Sequence, residues 1–177
     1  MKLAPTKIGG AFTIGIEPRK DERGFFARTY CFETLRAAGA PFGSIRQTSV
    51  SFNNERGTLR GLHWQAEPKP EGKIVRVSQG RIFDAIVDLR RDSPTFRDWF
   101  GIVLEREAHN ALLIPPGCAH GFLTLEDNCA VEYIMDADYA PELARGCRWD
   151  DPSFGIAWPA APKAMSERDR TWPDFKP

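Results

Sequence analysis

The 177-residue sequence has no excess of one charge and no long apolar run. Lysine and arginine total 24, as do aspartate and glutamate, so the formal net charge is zero. A neutral chain has no overall field that attracts nucleic acid or an anionic membrane surface. No apolar run reaches the roughly 18–20 residues that span a bilayer, and residues 1–10 lack the apolar centre of a signal peptide. These absences predict a protein without nucleic-acid or membrane partners.

The sequence is also poor in cysteine, and its four cysteines lack C-x-x-C spacing: Cys31, Cys118, Cys129 and Cys147. This scatter indicates reduced thiols in a cytoplasmic protein rather than a disulfide framework or a zinc site, although spacing alone leaves a pairing in the fold open. A chain of this length buries enough surface to hold a core without such staples. We expect residues 1–177 to form a single domain.

Glycine (15) and proline (14) divide the chain into short runs rich in β-branched and aromatic residues. The runs are 12–17, 25–30, 45–51, 58–64, 73–78, 82–89, 99–104, 110–114, 119–125 and 129–135. Short strands at this spacing predict an all-β sandwich or barrel. Helix is favoured only at 32–38, before Gly39 and Pro41, and at 163–170.

The three histidines differ in their surroundings. His109 lies in a polar turn and is expected to face solvent, whereas His120 ends IPPGCAH, which fits the P-x-G-x-x-H half-motif of cupin-type β-barrels. A metal-binding cupin carries two histidines in its first half-motif, but here His63 is followed by Gln65, and an amide is a poor ligand for zinc or iron. A site of both histidines with Glu71 is the metal-binding alternative. The pattern favours a metal-free barrel whose histidines transfer protons.

Eight further motifs lie between residues 21 and 169. They are DERGFF (21–26), LRGLHWQ (59–65), GKIVRV (72–77), FDAIVDLR (83–90), IPPGCAHGF (114–122), WDDP (149–152), IAWP (156–159) and SERD (166–169). In this order they resemble the dTDP-4-dehydrorhamnose 3,5-epimerase family of sugar-nucleotide epimerases. The resemblance implies an all-β, cupin-type jelly-roll barrel with a few short peripheral helices, and an enzyme without a cofactor.

The reaction implied by the resemblance is proton transfer on an NDP-4-keto-6-deoxyhexose. A C–H bond next to the C4 ketone is acidic because the resulting enolate is stabilised by resonance, so a base on one face and an acid on the other can invert the carbon. By resemblance, His63 is the base, Asp169 orients its imidazole and Tyr133 is the acid. Lys73 stabilises the enolate oxygen as its charge develops.

The resemblance also implies a substrate-binding set. It comprises Arg23, Phe26, Gln47, Ser49, Arg60, His120, Tyr139 and Arg168. Guanidinium groups suit a pyrophosphate because their donors are forked and permanently charged. In the family the first part of the chain reaches into the neighbouring subunit, so a homodimer with completed sites is expected.

The sequence departs from the family pattern at positions that serve the nucleotide. Arg28 replaces a glutamate, Ser49 ends a stretch that is Gln-Asp-Asn in the family, and a later glutamate is missing, with Glu142 as the nearest replacement. The base is therefore open between thymidine and cytidine or another base. Whether C3, C5 or both carbons are inverted is open as well.

Three alternatives to a double epimerase are compatible with the sequence. One is a single-carbon epimerase, or a ketoisomerase, of the same barrel type. Another is a catalytically silent barrel that binds a nucleotide sugar. The last is a metal cupin oxygenase.

Strict alternation along a strand would place Arg60 and His63 on opposite faces of the sheet. Both reach one cavity only if the strand departs from regular pleating, and Gly61 between them is a suitable place for a bulge. We therefore predict an irregular strand over residues 60–63.

Overall fold

The structure is a computed structural model that describes residues 1–176. Within these residues the chain forms thirteen β-strands, two short α-helices and one 3₁₀ turn. The elements are β1 Lys2–Pro5, β2 Phe12–Gly15, β3 Arg19–Asp21, β4 Gly24–Phe26, α1 Phe32–Ala37, β5 Gln47–Asn53, β6 Leu59–Gln65, β7 Lys73–Gln79, β8 Arg81–Asp88, β9 Trp99–Glu105, β10 Ala111–Ile114, β11 Cys118–Thr124, β12 Cys129–Met135, the 3₁₀ turn Pro141–Leu143, β13 Ala144–Gly146 and α2 Glu167–Thr171.

Each of the ten predicted strands and both predicted helices have a counterpart in the structure. The second helix begins later than predicted, because the backbone at residues 163 and 164 bonds to Gly57 instead of continuing a helix. Ser166 then caps α2, accepting a hydrogen bond from the backbone N–H of Asp169 at 3.1 Å. The strands β1, β3 and β13 were not predicted, because each has only three or four residues and includes charged residues, glycine or proline.

The strands form two larger antiparallel sheets and one separate hairpin. The six-stranded sheet has the order β1-β2-β10-β7-β12-β5, and the five-stranded sheet has the order β13-β6-β11-β8-β9. The hairpin consists of β3 and β4 alone. Two helices of five and six residues complete the fold, so the predicted all-β class is confirmed. No helix among residues 1–176 is long and apolar enough to cross a membrane.

The space between the two large sheets is apolar at one end and polar at the other. Leu112 and Val131 of the six-stranded sheet pack with Ile86 and Phe122 of the five-stranded sheet in one buried cluster. Along β7, alternate residues lead from this core to Lys73 at the strand's beginning, which lines an open cavity. The hydrophobic core therefore supports the floor of a polar site at one end of the barrel.

Each sheet is also covered on its outer face. Leu35 of α1 and Phe42 pack against the outer side of the six-stranded sheet. The chain after β13 covers the five-stranded sheet, where Phe154 is buried and Trp158 and Phe175 pack beside it. This C-terminal covering brings α2 against β6, at the edge of the polar cavity.

Candidate active site

A cavity of about 650 Å³ opens between the polar ends of the two large sheets. Its volume is in the range of pockets that enclose a small ligand. Its walls come from β5, β7 and β12 on one side, from β6, β11 and β13 on the other, and from α2 at the rim. The lining residues are Gln47, Ser49, Ser51, Arg60, His63, Trp64, Gln65, Glu71, Lys73, His120, Phe122, Tyr133, Met135, Tyr139, Ala144, Arg145, Ser166, Arg168 and Asp169.

A bulge in β6 brings Arg60 and His63 to this one cavity. On β11 the partner of His63 is His120 and the partner of Arg60 is Phe122, so three steps along β6 oppose two steps along β11. Gly61 has φ +130°, a value that residues other than glycine rarely adopt. The predicted irregularity at residues 60–63 is therefore confirmed.

His63 and Asp169 form a hydrogen-bonded pair at the cavity wall. The Nε2–H of His63 donates to Oδ1 of Asp169 at 2.5 Å, while the His63 side chain is 40% exposed and that of Asp169 is 5% exposed. Burial acts to raise the pKa of Asp169, but the hydrogen bonds from His63 and Ser166 and the charge of His63 outweigh it, so the pKa lies below its usual value. The carboxylate thus fixes one imidazole tautomer and leaves Nδ1 as the basic nitrogen.

Tyr133 on β12 lines the same cavity from the opposite sheet. Burial raises the pKa of its phenol, and the negative charge of Asp84 raises it further, while Arg60 acts in the opposite direction. Tyr133 therefore stays protonated at neutral pH. A protonated phenol and a basic imidazole on opposite walls of one cavity form the arrangement that an acid–base pair requires.

Lys73 provides a positive charge on the cavity wall. Its Nζ lies 3.0 Å from Oε1 of Glu71, and both side chains are largely buried. The neighbouring turn is fixed by Asp136, whose carboxylate accepts a hydrogen bond from the backbone N–H of Gly72 at 2.7 Å. The ammonium group is thus held in place, and it can stabilise an oxygen that becomes negative.

Ten of the twelve predicted site residues line the cavity. They are His63, Lys73, Tyr133, Asp169, Gln47, Ser49, Arg60, His120, Tyr139 and Arg168. Arg23 and Phe26 do not, because they lie on the β3–β4 hairpin, where the Arg23 side chain is 83% exposed and Phe26 is 78% exposed.

The cavity also contains residues that the sequence did not single out. Arg145 lines it from β13, a strand too short to be predicted, whereas Glu142, the candidate replacement for the missing glutamate, does not reach it. Asp84 lies behind the wall and binds His120. A signal for Asp84 was available, since a carboxylate within the apolar run FDAIVDL demands a buried partner.

Within residues 1–176 no three His, Cys, Asp or Glu side chains are grouped as metal ligands would be. His63 and His120 each use Nε2 to bind an aspartate. The four cysteines, which lie in the described part, are all free.

Comparison with known proteins identifies the family of this chain. The sequence model described as dTDP-4-dehydrorhamnose 3,5-epimerase matches residues 5–177. The protein of that name from Methanothermobacter thermautotrophicus is 42% identical over 174 residues, which are 97% of this chain and 92% of the relative.

Solved structures match over nearly the whole chain. The dTDP-4-dehydrorhamnose 3,5-epimerase of Bacillus anthracis, with TDP and PPi bound, has a TM-score of 0.93 at 40% identity and covers 98% of this chain and 99% of its own. A 3′-monoepimerase of Streptomyces bikiniensis in complex with dTDP-quinovose has a TM-score of 0.86 at 31% identity. The match covers 96% of this chain and 86% of the monoepimerase chain. The fold is thus the expected cupin-type jelly roll, and the chain belongs to the dTDP-4-dehydrorhamnose 3,5-epimerase family of isomerases.

Proposed function

We propose that the protein epimerises a nucleotide-linked 4-keto-6-deoxyhexose at C3, C5 or both, without a cofactor, in deoxysugar nucleotide biosynthesis. The observation that carries the proposal is that His63 and Tyr133 line one cavity from opposite sheets, with Lys73 beside them. A base and an acid on opposite sides of a ring can exchange a proton across it without turning the ring.

The reaction begins when Nδ1 of His63 removes a proton from the carbon next to the C4 ketone. The electron pair of the broken C–H bond moves into the carbonyl group and forms an enolate. We assign the stabilisation of its oxygen to Lys73, Arg60 and His120, which line the same cavity. The phenol of Tyr133 then donates its proton to the opposite face of the carbon. The imidazolium releases its proton to solvent, and the phenolate regains one, which returns both groups to their initial states.

Nucleotide recognition uses the outer part of the cavity. Arg168 lies over the ring of Trp172, with its guanidinium carbon 4.8 Å from the ring centroid, and this contact orients it at the rim for a diphosphate. Gln47, Ser49 and Tyr139 lie nearby, and the backbone N–H of Tyr139 donates to Oε1 of Gln47 at 3.4 Å. We assign these polar groups to the binding of the base and the ribose.

A homodimer would complete the site. The β3–β4 hairpin carries Arg23 and Phe26 away from the cavity of its own chain, and the exposed Phe26 ring is the kind of surface that an interface buries. Val50 and Phe52 on the edge strand β5 are also exposed. We place Arg23 and Phe26 in the nucleotide site of the partner subunit.

Burial raises the pKa of two cysteines, Cys118 and Cys147, to about 12, so these thiols stay protonated. Free thiols fit a reducing compartment, and we place the reaction in the cytoplasm. We further propose that residues 1–177 act as one domain.

The test is incubation of the protein with dTDP- and CDP-linked 4-keto-6-deoxyglucose in deuterated water, followed by NMR. Deuterium at C3 and C5 supports the double epimerase. Deuterium at one carbon supports a single-carbon enzyme such as the similar 3′-monoepimerase of Streptomyces bikiniensis. Absence of exchange with either sugar would leave a silent nucleotide-sugar-binding barrel. Stoichiometric iron, manganese or zinc bound through His63 and His120 would contradict the proposal.

A further inference from the structure

We infer that Asp84 is a positioning residue that acts through His120. Its buried carboxylate holds His120 as an imidazolium whose Nδ1–H donates to the substrate oxygen that becomes negative. The inference rests on the proposed function, and it assigns a role to a residue that lies behind the cavity wall.

The geometry fixes one nitrogen of His120. Asp84 lies in β8 and is fully buried, and its Oδ1 is 2.6 Å from Nε2 of His120. An ionised carboxylate only accepts hydrogen bonds, so Nε2 carries the hydrogen. His120 itself is buried against this carboxylate and lines the cavity.

The other oxygen of Asp84 distinguishes this pair from the pair formed by His63 and Asp169. Oδ2 of Asp84 has no hydrogen-bond partner among residues 1–176. Ser166, in contrast, also stabilises the charge of Asp169. Among the described residues, the buried carboxylate of Asp84 therefore has a single hydrogen-bond donor, the imidazole of His120, and burial strengthens the electrostatic attraction between the two.

The second nitrogen of His120 is available to the substrate. The only side-chain hydrogen bond of His120 within the described chain is the one made by Nε2. Nδ1 is left without a protein partner, and His120 forms part of the cavity lining. When this nitrogen also carries a proton, it is a charged donor in the same cavity as Lys73 and can stabilise an oxyanion.

Groups from three other positions face this pair. His63 is the register partner of His120 on β6, Arg60 lies on the same strand, and the ring of Tyr133 stands at 6.0 Å from the ring of His120. The negative charge of Asp84 raises the pKa of Tyr133. The same carboxylate therefore favours a protonated phenol and a protonated imidazole, while His63, whose partner carboxylate is also stabilised by Ser166, remains the base.

The first test reads the charge of His120 directly and needs no substrate. The chain has only three histidines, so ¹⁵N NMR of the imidazoles resolves all of them. In the full-length protein at pH 7 we expect His120 to show two protonated nitrogens. In Asp84→Asn, His120 is expected to show one protonated nitrogen. A neutral His120 in the wild-type protein overturns the inference, whether or not the protein epimerises the proposed sugars.

The second test measures turnover. Asp84→Asn should lower kcat about 10²-fold, the loss typical of one oxyanion donor, with little change in KM. The matched control is Asp88→Asn, because Asp88 is an equally buried aspartate of β8 that binds Arg90, Ser93 and Thr95 away from the cavity. This control should lose stability but keep its kcat.

Double substitution separates a positioning role from a general loss of packing. If Asp84 acts through His120, adding Asp84→Asn to His120→Gln should not lower kcat further. The inference would be contradicted if the two substitutions multiplied their losses of kcat in the double variant. It would also be contradicted if Asp88→Asn lowered kcat as much as Asp84→Asn does. If Asp84→Asn fails to fold, the NMR spectrum of the wild-type protein still decides.

Discussion

Gly61 on β6 lies directly against Gly121 on β11, with no room for a side chain between the two strands. A β-carbon at residue 61 would stand 2.5 Å from Cα of Gly121 and 2.8 Å from the carbonyl oxygen of His120. This close approach is the bulge that turns Arg60 and His63 into the same cavity. The backbone at one glycine thus determines whether two site residues meet.

Replacing Gly61 by alanine should destabilise the protein by roughly 2 kcal/mol or more and abolish turnover, because the new methyl group meets backbone atoms at a positive φ. Urea unfolding and the deuterium-exchange assay measure the two effects. Gly15→Ala is the control, since nothing lies within 4 Å of a β-carbon at that position of β2. Equal stability of the two variants would exclude the steric argument.

His63→Asn should lower proton exchange by about 10²–10⁴-fold, because the amide cannot act as the base. Binding of dTDP or CDP, measured by calorimetry, should be nearly unchanged, and comparison of the two nucleotides identifies the preferred base. His109→Asn, an exposed histidine outside the cavity, should exchange protons at the wild-type rate. Exchange that survives in His63→Asn would exclude His63 as the base.

Tyr133→Phe removes the phenolic hydroxyl and keeps the ring. We expect net inversion to fall while exchange with solvent continues, because His63 can release the abstracted proton to solvent and return a solvent deuteron to the same face of the carbon. NMR of the product in deuterated water separates the two rates. Tyr30→Phe, which changes a tyrosine packed against Phe42 outside the barrel, is the control. If both rates stay normal in Tyr133→Phe, the tyrosine has only a packing role.

Mixed dimers test whether the hairpin completes the partner's site. Arg23→Ala and Tyr133→Phe subunits should each be impaired alone. When the two variants are unfolded and refolded together in equal amounts, about half of the dimers contain one subunit of each kind. In each of these mixed dimers, one of the two sites combines an unchanged Tyr133 with an unchanged Arg23 from the other subunit. About a quarter of wild-type activity should therefore return. A mixture no more active than its components would mean that Arg23 does not serve the neighbouring subunit, and sedimentation would show whether a dimer forms at all.

Asp88 predicts an acid-dependent loss of stability. Burial acts to raise its pKa, but hydrogen bonds from Arg90, Ser93 and Thr95 outweigh burial and lower the pKa from 3.8 to about 2. Because the folded-state pKa is the lower one, the stabilisation of about 2 kcal/mol is complete well above pH 4 and disappears as the pH falls towards 2. Urea unfolding should show that the wild-type protein has a higher free energy of unfolding than Asp88→Asn above pH 4, and that this difference becomes smaller as the pH falls towards 2. If the difference in free energy of unfolding between the two proteins did not change with pH, the lowered pKa of Asp88 would be contradicted.

The sequence predicted the fold class well because its signals are local. The β-branched runs between turns correspond to strands, and the stop at Gly39 follows α1. Of the twelve site residues expected from the family resemblance, ten line one cavity. Alternation along a strand would have put Arg60 and His63 on opposite faces, and this conflict correctly located the bulge. The short strand β13 escaped prediction, since three residues carry too little pattern, and Arg145 escaped with it.

By itself the sequence determined which residue types are available for proton transfer, because those types are a matter of covalent chemistry. The family resemblance anticipated that Asp169 orients His63, but only the tertiary structure brought these two side chains together and paired Asp84 with His120. Asp169 reaches His63 from 106 residues away, and Asp84 reaches His120 from the neighbouring strand. Such pairs depend on strand register and on the path of the C-terminal segment, which arise when the two sheets and their covering segments pack together, and no local pattern encodes them.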